Sequence, residues 1–156
     1  MKITLFWIGK TDEPYLRQGT ELYESRIGKY LDFQAITIPD VRKGQMTPAR
    51  QSELEATALL EKISPKDDIF LLDERGEMFS STEMARFLEK KMLESTRNLV
   101  FVIGGPYGFH DKLYQRAQGT ISLSRMTFSH QMVRLLFLEQ LYRALTIIRG
   151  EPYHHA

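Results

Sequence analysis

The chain has 156 residues, 42% of them hydrophobic and 26% charged, and a formal net charge of +1, a composition ordinary for a globular protein and unlike that of disordered or fibrous chains. No segment approaches the roughly 20 apolar residues of a membrane span, and a chain of this length can bury a core as one domain, residues 1–156. The absence of cysteine excludes disulfides, thiol chemistry and cysteine-containing zinc sites, and it is compatible with a reducing cytoplasm.

The first part of the chain predicts a strand, a helix and a second strand. Residues 1–8 are rich in β-branched and aromatic side chains and end at Gly9, which predicts a strand and its turn. Apolar residues recur at helical spacing over 14–30, the pattern of an amphipathic helix. Residues 33–38 predict the second strand, and the stretch 41–47 has no periodicity and predicts a loop.

A second helix is predicted from Thr47 to about residue 63. Threonine followed by proline is the pattern of an N-cap with proline in the first helical position. The apolar residues Leu54, Ala58 and Leu59 indicate the side of the helix that packs on the core, and the other side is charged.

The middle of the chain predicts a buried strand and a third helix. A continuous apolar run over 68–73, bounded by acids, is typical of a parallel strand that is covered on both sides. Residues 74–77 predict the loop after it. A helix is expected over 81–93, with Ser81 or Thr82 as its N-cap.

Three shorter elements follow. Residues 99–103 predict a fourth strand, 111–117 a short helix and 120–123 a fifth strand. Alternating strands and helices imply right-handed crossovers between parallel strands. The predicted fold class is therefore α/β, with a mostly parallel sheet and helices on both faces.

The final predicted helix covers residues 129–149 and is closed by Gly150 and Pro152. Apolar side chains occupy nearly its whole circumference, and a helix that is apolar all round is buried all round. Because a terminal helix covers a sheet with one side only, its other side needs a second cover. The same helix of another subunit would provide it and form a two-fold homodimer, and deeper burial within one chain is the alternative.

Two segments that follow predicted strands have features of a ligand site. The run 104–108, Gly-Gly-Pro-Tyr-Gly, lacks the spacing of a dinucleotide fingerprint, but its sharp turn lets backbone amides approach a small ligand. The run 123–128 alternates apolar with small or polar residues and suits the wall of an adenosine site. Open α/β sheets bind ligands at the carboxyl ends of their strands. A purely structural role is the alternative for each segment.

Charged and titratable residues gather toward the C-terminus. From Arg116 onward there are five arginines, no lysine and two glutamates, which suits contact with phosphate but also fits arginines that are solvated or paired locally. Glu139 and Arg143 are four residues apart and can pair on one helix face. Tyr153 and His154 fit proton transfer or base stacking better than a metal site, since adjacent side chains diverge. A frayed polar tail is the alternative.

Five blocks of sequence, in order, closely resemble one protein family. They are Leu-Leu-Asp-Glu-Arg-Gly at 71–76, Phe-Val-Ile-Gly-Gly-Pro-Tyr-Gly at 101–108, Leu-Ser-Arg-Met-Thr-Phe-Ser-His at 123–130, Glu-Gln-Leu-Tyr-Arg-Ala at 139–144 and Pro-Tyr-His at 152–154. Over essentially its whole length the chain resembles the ribosomal RNA large subunit methyltransferase H family, which is of the SPOUT class.

This resemblance implies a fold and an activity. The fold would be α/β with a C-terminal trefoil knot, one of the rare exceptions to unknotted topology, and the protein would be a homodimer. The cofactor would be S-adenosyl-L-methionine, and the substrate N3 of a pseudouridine in large-subunit (23S) ribosomal RNA on the assembled ribosome. The ribosome is then the expected partner and the cytoplasm the expected location, with no membrane, DNA or metal involved.

The resemblance also assigns roles to residues by position. The cofactor contacts it implies are Leu72, Gly104, Gly105, Leu123, Ser124, Arg125, Met126, Thr127 and Phe128. These residues belong to the loops after the third, fourth and fifth predicted strands, where the pattern of residues already indicates a site. Tyr153 and His154 are candidates for accepting the N3 proton, and Arg143 for stabilising the developing uracil anion.

A non-catalytic, dimeric RNA- or ribosome-binding module with the same fold is the alternative function. Such a module need not bind a methyl donor. A nucleotide-dependent α/β enzyme would require phosphate-cradling glycines that the sequence lacks. Because the net charge is almost balanced, recognition of RNA is expected to come from the dimer surface and from the shape of the ribosome.

Overall fold

The computed structural model describes residues 1–41 and 44–155, and within them five strands and five helices alternate. The strands are β1 (Lys2–Ile8), β2 (Asp32–Ile38), β3 (Asp68–Met78), β4 (Asn98–Ile103) and β5 (Gly119–Ser122). The helices are α1 (Pro14–Ile27), α2 (Pro48–Lys62), α3 (Ser81–Leu93), α4 (Asp111–Arg116) and α5 (Met132–Ile148). The predicted loop 41–47 includes Arg42 and Lys43, which lie outside the described residues.

The strands form a single parallel sheet in the order β2-β1-β4-β3-β5. Successive side chains of a strand point to opposite faces, so Ile3, Leu5 and Trp7 of β1 join one hydrophobic core whereas Phe6 and Ile8 join the other. Helices α1, α3 and α5 pack on the first core, and α2 and α4 on the second. The predicted α/β fold with helices on both faces is confirmed.

Strand β3 is longer than predicted. The loop expected at 74–77 is wrong, because β3 continues to Met78 and pairs again with β5 at its end. Leu72 and Glu77 both lie opposite Ile121, so residues 73–76 leave the ladder as a bulge. A Cβ on Gly76 would lie 2.7 Å from the backbone nitrogen of Ile121. Only glycine therefore lets β5 pass this close to the bulge.

The helix caps show one prediction confirmed and one wrong. Thr47 caps α2 as predicted. The cap of α3 is Ser80, not Ser81 or Thr82, because Glu83 completes a capping box with it: the Ser80 hydroxyl accepts from the Glu83 N–H at 3.2 Å and the Glu83 carboxylate accepts from the Ser80 N–H at 2.6 Å.

Ser80→Ala is expected to lower the free energy of unfolding by about 1 kcal/mol, because the α3 N-terminus loses one side-chain partner. Urea unfolding followed by circular dichroism measures this loss. The matched control is Ser25→Ala, an exposed serine within α1. Equal stabilities of the two variants would show that the capping box does not stabilise the helix.

Helix α2 turns a different side inward from the one predicted. Leu59 is buried as expected, but Leu54 and Ala58 are only half-buried. The polar residues Gln51 and Glu55 are buried instead, and Glu55 is only 3% exposed. Apolar periodicity cannot anticipate an inward carboxylate, so this difference points to a specific partner for Glu55.

Helix α5 lies between α1 and α3 on one face of the sheet and begins three residues later than predicted. Its contact with α1 is close, since a Cβ on Gly19 would lie 2.8 Å from Cδ1 of Leu135. Every residue of α5 is buried or half-buried within the single chain. The chain itself thus covers much of the helix, while several of its apolar side chains keep partial exposure.

A buried arginine fixes α5 to the carboxyl end of β1. Arg134 is 1% exposed, and its guanidinium donates to the Ile8 carbonyl at 2.6 Å, the Gly9 carbonyl at 3.1 Å and the Thr11 hydroxyl at 2.8 Å. Burial lowers the pKa of Arg134 to about 10, which leaves it charged at neutral pH. Its role in the structure is therefore to satisfy the carbonyls where β1 ends.

Within the part of the chain that the structure describes, no helix combines the length and the apolar character needed to cross a membrane.

Candidate active site

The bulge of β3 and the loops that follow β4 and β5 surround an open cleft of about 660 Å³. These strands are neighbours in the sheet, so segments far apart in sequence meet there. The predicted cofactor contacts that line the cleft are Leu72, Gly104, Gly105, Leu123, Ser124, Met126, Thr127 and Phe128. Arg125 is the one predicted contact outside this lining. The cleft has the size of sites that bind small organic ligands.

The glycine loop after β4 is closely packed from behind. Its turn is closed by the Gly108 N–H, which donates to the Gly105 carbonyl at 3.2 Å. A Cβ on Gly104 would lie 3.1 Å from the Phe109 ring, and one on Gly105 would lie 2.9 Å from a carboxylate oxygen of Glu55. Both glycines are therefore needed for the shape of the loop, and the loop's backbone is left to face the cleft.

Glu55 is a residue of this site that the sequence did not reveal. Its carboxylate is buried beneath Gly105 and accepts a hydrogen bond from the Gln51 amide at 3.3 Å. Glu55 is one of several charged residues of α2, so its type alone does not separate it from solvent-facing ones such as Glu61. Only the packing of α2 under the loop shows its position.

Gly105→Ala is expected to weaken the binding of the cofactor that the sequence resemblance implies, S-adenosyl-L-methionine, about tenfold, because the new methyl group must displace the buried Glu55 carboxylate or the loop itself, a cost of about 1–3 kcal/mol. Isothermal titration calorimetry measures the affinity. Gly28→Ala is the matched control: Gly28 has helical φ and ψ angles, and a Cβ there meets nothing closer than 3.4 Å. Equal affinities in the two variants would contradict the proposed tight packing.

A second set of side chains joins two walls of the cleft. The Tyr114 hydroxyl of α4 donates to Asp73 in the bulge of β3, and Arg75 donates to the Tyr114 oxygen at 3.0 Å. Burial alone would raise the pKa of Asp73, but the hydrogen bonds from Tyr114 and Arg75 outweigh it and lower the pKa below its usual value. Asp73 is thus ionised at neutral pH. Tyr114 could not be predicted as a site residue, because it lies in a short helix with no motif.

The three predicted catalytic residues meet at the end of α5. Arg143 Nη2 donates to Glu139 Oε1 at 2.5 Å, which confirms the predicted pair. The Tyr153 hydroxyl donates to the same oxygen at 3.0 Å, and Nδ1 of His154 lies 3.3 Å from Arg143 Nη1. The Arg143 guanidinium also lies 4.8 Å from the centroid of the Tyr153 ring. The tail is therefore attached to the helix by specific contacts.

The electrostatics of this cluster distinguish the roles of its members. Burial, together with hydrogen bonds to Tyr23 and Glu139, raises the pKa of Tyr153 far above that of an ordinary phenol. The hydrogen bond to Glu139 raises the pKa of Arg143 as well, so its guanidinium stays positively charged at neutral pH. Tyr153 is consequently suited to donate a hydrogen bond. Of the two predicted proton acceptors, His154 can act only after its Nδ1 leaves the Arg143 guanidinium, because an arginine N–H can only donate and Nδ1 is then the accepting nitrogen.

A smaller groove beside the cleft reaches the carboxylate that holds the tail cluster. The groove, of about 200 Å³, has Leu123 and Phe128 in common with the cleft and reaches Glu139 on α5. Among the described residues, no group of three or more His, Asp and Glu side chains is placed to hold a metal ion. Arg143, Tyr153 and His154 line neither the cleft nor this groove, so Glu139 is the member of the cluster that connects them.

Comparison with known proteins gives consistent matches. A family model described as a predicted SPOUT methyltransferase matches residues 1–154. A protein named Ribosomal RNA large subunit methyltransferase H from Porphyromonas gingivalis is 51% identical over 156 residues, which cover 99% of each chain. Proteins of the same name from Cytophaga hutchinsonii and Geotalea daltonii are 48% and 50% identical over 155 and 156 residues, covering 99% of this chain and 100% of theirs.

Proposed function

Because the chain belongs to the SPOUT methyltransferase family, we propose that it transfers a methyl group from S-adenosyl-L-methionine to large-subunit ribosomal RNA. The proposed target is N3 of a pseudouridine in 23S RNA on the assembled ribosome, which places the protein's work in the cytoplasm. Residues 1–156 would act as a single methyltransferase domain. The observation that carries the proposal is the meeting of the β3 bulge with the loops after β4 and β5 around one cleft.

The side chains around the cleft fit the proposed cofactor. Leu72, Leu123 and Phe128 offer apolar surface to an adenine ring, and the glycine loop offers backbone groups for its polar edge. When bound, S-adenosyl-L-methionine supplies a methyl group activated by its sulfonium sulfur. The residues of the chain then have two tasks, which are to hold the uracil ring in line with that methyl group and to remove its N3 proton.

The cluster at the end of α5 suits these tasks. Arg143 carries a positive charge that Glu139 orients, and such a charge stabilises an anion developing on a uracil ring. His154 lies beside Arg143, and its Nδ1 can accept the N3 proton when it exchanges its contact with the guanidinium for one with the uracil ring. The Tyr153 hydroxyl, which donates to Glu139, positions the carboxylate and through it the guanidinium.

Two further features of the family are part of this proposal. Tyr15 and Leu22 of α1 are 58% and 48% exposed and lie on one side of the helix, next to the half-exposed side chains of α5. This apolar surface supports a homodimer in which α1 up to Leu22 and the α5 side chains beside it face a second copy. The second feature is a trefoil knot in the C-terminal part of the chain, which rests on membership of the family.

Mass spectrometry of 23S RNA from cells that lack the protein tests the assignment. We expect the N3-methylpseudouridine signal to disappear and to return when the wild-type chain is supplied. A signal that persists in the deletion strain would refute the proposed reaction.

Calorimetry with S-adenosyl-L-methionine tests the alternative, a ribosome-binding module without chemistry. The proposed enzyme should release or absorb heat on saturation with the donor at one site per chain. Ribosome binding without any donor binding would favour the module.

A further inference from the structure

A second groove lies away from the cleft, where the C-terminal ends of α1 and α5 meet. It measures about 390 Å³, within the range of small-ligand sites. Five side chains line it: Arg26, Lys29, Tyr30, Tyr142 and Tyr153. Of these only Tyr153 has a role in the proposed reaction. The groove therefore combines tyrosine rings with basic groups directly beside the tail cluster.

The tyrosine rings and the guanidiniums beside them offer flat surfaces to a planar partner. The ring of Tyr142 meets those of Tyr153 and Tyr30 edge-on, with centroids 4.7 Å and 6.0 Å apart and interplanar angles of 66° and 71°. Each of the three rings also has an arginine guanidinium over it. A flat heterocycle in the groove would therefore stack on a ring or on the guanidinium plane above it, as unpaired RNA bases do.

The cations of the groove are held close to these rings. The Arg26 guanidinium lies 5.5 Å from the Tyr142 centroid, and that of Arg149 lies 5.3 Å from the Tyr30 centroid. Lys29 is exposed at the end of α1. Glu151, which accepts from the Tyr30 hydroxyl at 2.5 Å, offsets part of this positive charge. The remaining excess of positive charge favours an anionic partner.

Stacking surfaces interleaved with cations are the usual chemistry for binding single-stranded RNA, where rings take the bases and cations take the phosphates. We propose that this groove binds a nucleotide that neighbours the methylated one, with its base on the tyrosine rings and its phosphate near Lys29 and Arg26. This inference rests on the proposed function. Tyr153 links the two sites, because it lines the groove and contacts Arg143.

Kinetics on ribosomes purified from cells lacking the protein test the groove. Lys29→Gln should raise the KM for ribosomes about fivefold and reduce the slope of log KM against log salt by about 1, with kcat within twofold of wild type. Tyr30→Ala should raise the KM about tenfold, whereas Tyr30→Phe, which keeps the ring, should restore most of the affinity. All three variants should bind S-adenosyl-L-methionine like wild type in calorimetry.

The matched control is Lys62→Gln, which removes one exposed lysine at the end of α2, on the other face of the sheet. If Lys29→Gln and Tyr30→Ala have the same ribosome KM as this control, the inference is overturned while the proposed function stands. If the wild-type chain methylates no RNA, the proposed function has failed, and co-sedimentation with purified ribosomes still decides the groove. Equal ribosome affinities of wild type and groove variants would overturn it.

Discussion

The Gly76→Ala variant is expected to lose about 3 kcal/mol of unfolding free energy, at the upper end of overpacking effects, and to stop binding S-adenosyl-L-methionine. The added Cβ would lie 2.7 Å from the Thr120 carbonyl carbon and 2.8 Å from that of Ile121. Backbone atoms cannot move aside as a side chain can, so β5 must shift. Because β5 leads directly into the cleft wall at 123–128, the shift reaches the cofactor site.

Urea unfolding and calorimetry with the donor measure the two effects of Gly76→Ala. Glu77→Ala is the control, since Glu77 is exposed in the same strand and its loss should change stability by less than about 0.5 kcal/mol. A Gly76→Ala chain as stable as this control, with donor binding intact, would mean that β5 does not pass so near the bulge.

The Arg143→Gln variant should lower the rate of methyl transfer by a factor of about 100 to 1000, the usual effect of removing one group that stabilises a developing charge. Glutamine keeps much of the side-chain length, but it cannot supply the positive charge and loses the paired contact with Glu139. Single-turnover methylation of ribosomes measures the chemical step. The affinity for S-adenosyl-L-methionine should stay unchanged, because Arg143 does not line the cofactor cleft.

Arg143→Lys refines this test. Lysine retains the charge but cannot donate two hydrogen bonds to Glu139 from two nitrogens as arginine does. A rate between those of wild type and Arg143→Gln is therefore expected. Arg86→Gln, at an exposed position of α3, controls for the loss of one arginine. A full single-turnover rate in Arg143→Gln would remove this residue from the proposed mechanism and leave His154 to act alone.

The sequence predicts the helices and strands well wherever apolar periodicity is strong. The third predicted helix, 81–93, coincides with α3, and the predicted strand 99–103 lies within β4. The end of β3 could not be predicted, because Glu74, Arg75 and Gly76 show no strand pattern. The strand resumes beyond these residues because Glu77 and Met78 pair with β5, more than forty positions away, and such long-range pairing leaves no mark in local composition.

The residues of the candidate site likewise include some that the sequence could predict and some that it could not. Leu72, the glycine loop and the segment 123–128 could be proposed beforehand, since each follows a recognisable strand and matches a family block. Glu55, Tyr114 and the groove tyrosines could not, because their positions depend on how each helix is rotated on the sheet. Rotation is set by side-chain packing across the whole fold, and an inward carboxylate such as Glu55 even opposes the apolar pattern.

The bulge in β3 separates the residues that pair with β5 from those that line the cleft. Leu72 and Glu77 on either side keep the register with β5, while Asp73, Glu74 and Arg75 between them border the cleft. Their side chains can consequently be exchanged without breaking the ladder, provided that the glycine behind them is kept. A protein engineer who wishes the scaffold to accept altered sulfonium donors would begin by randomising these three positions.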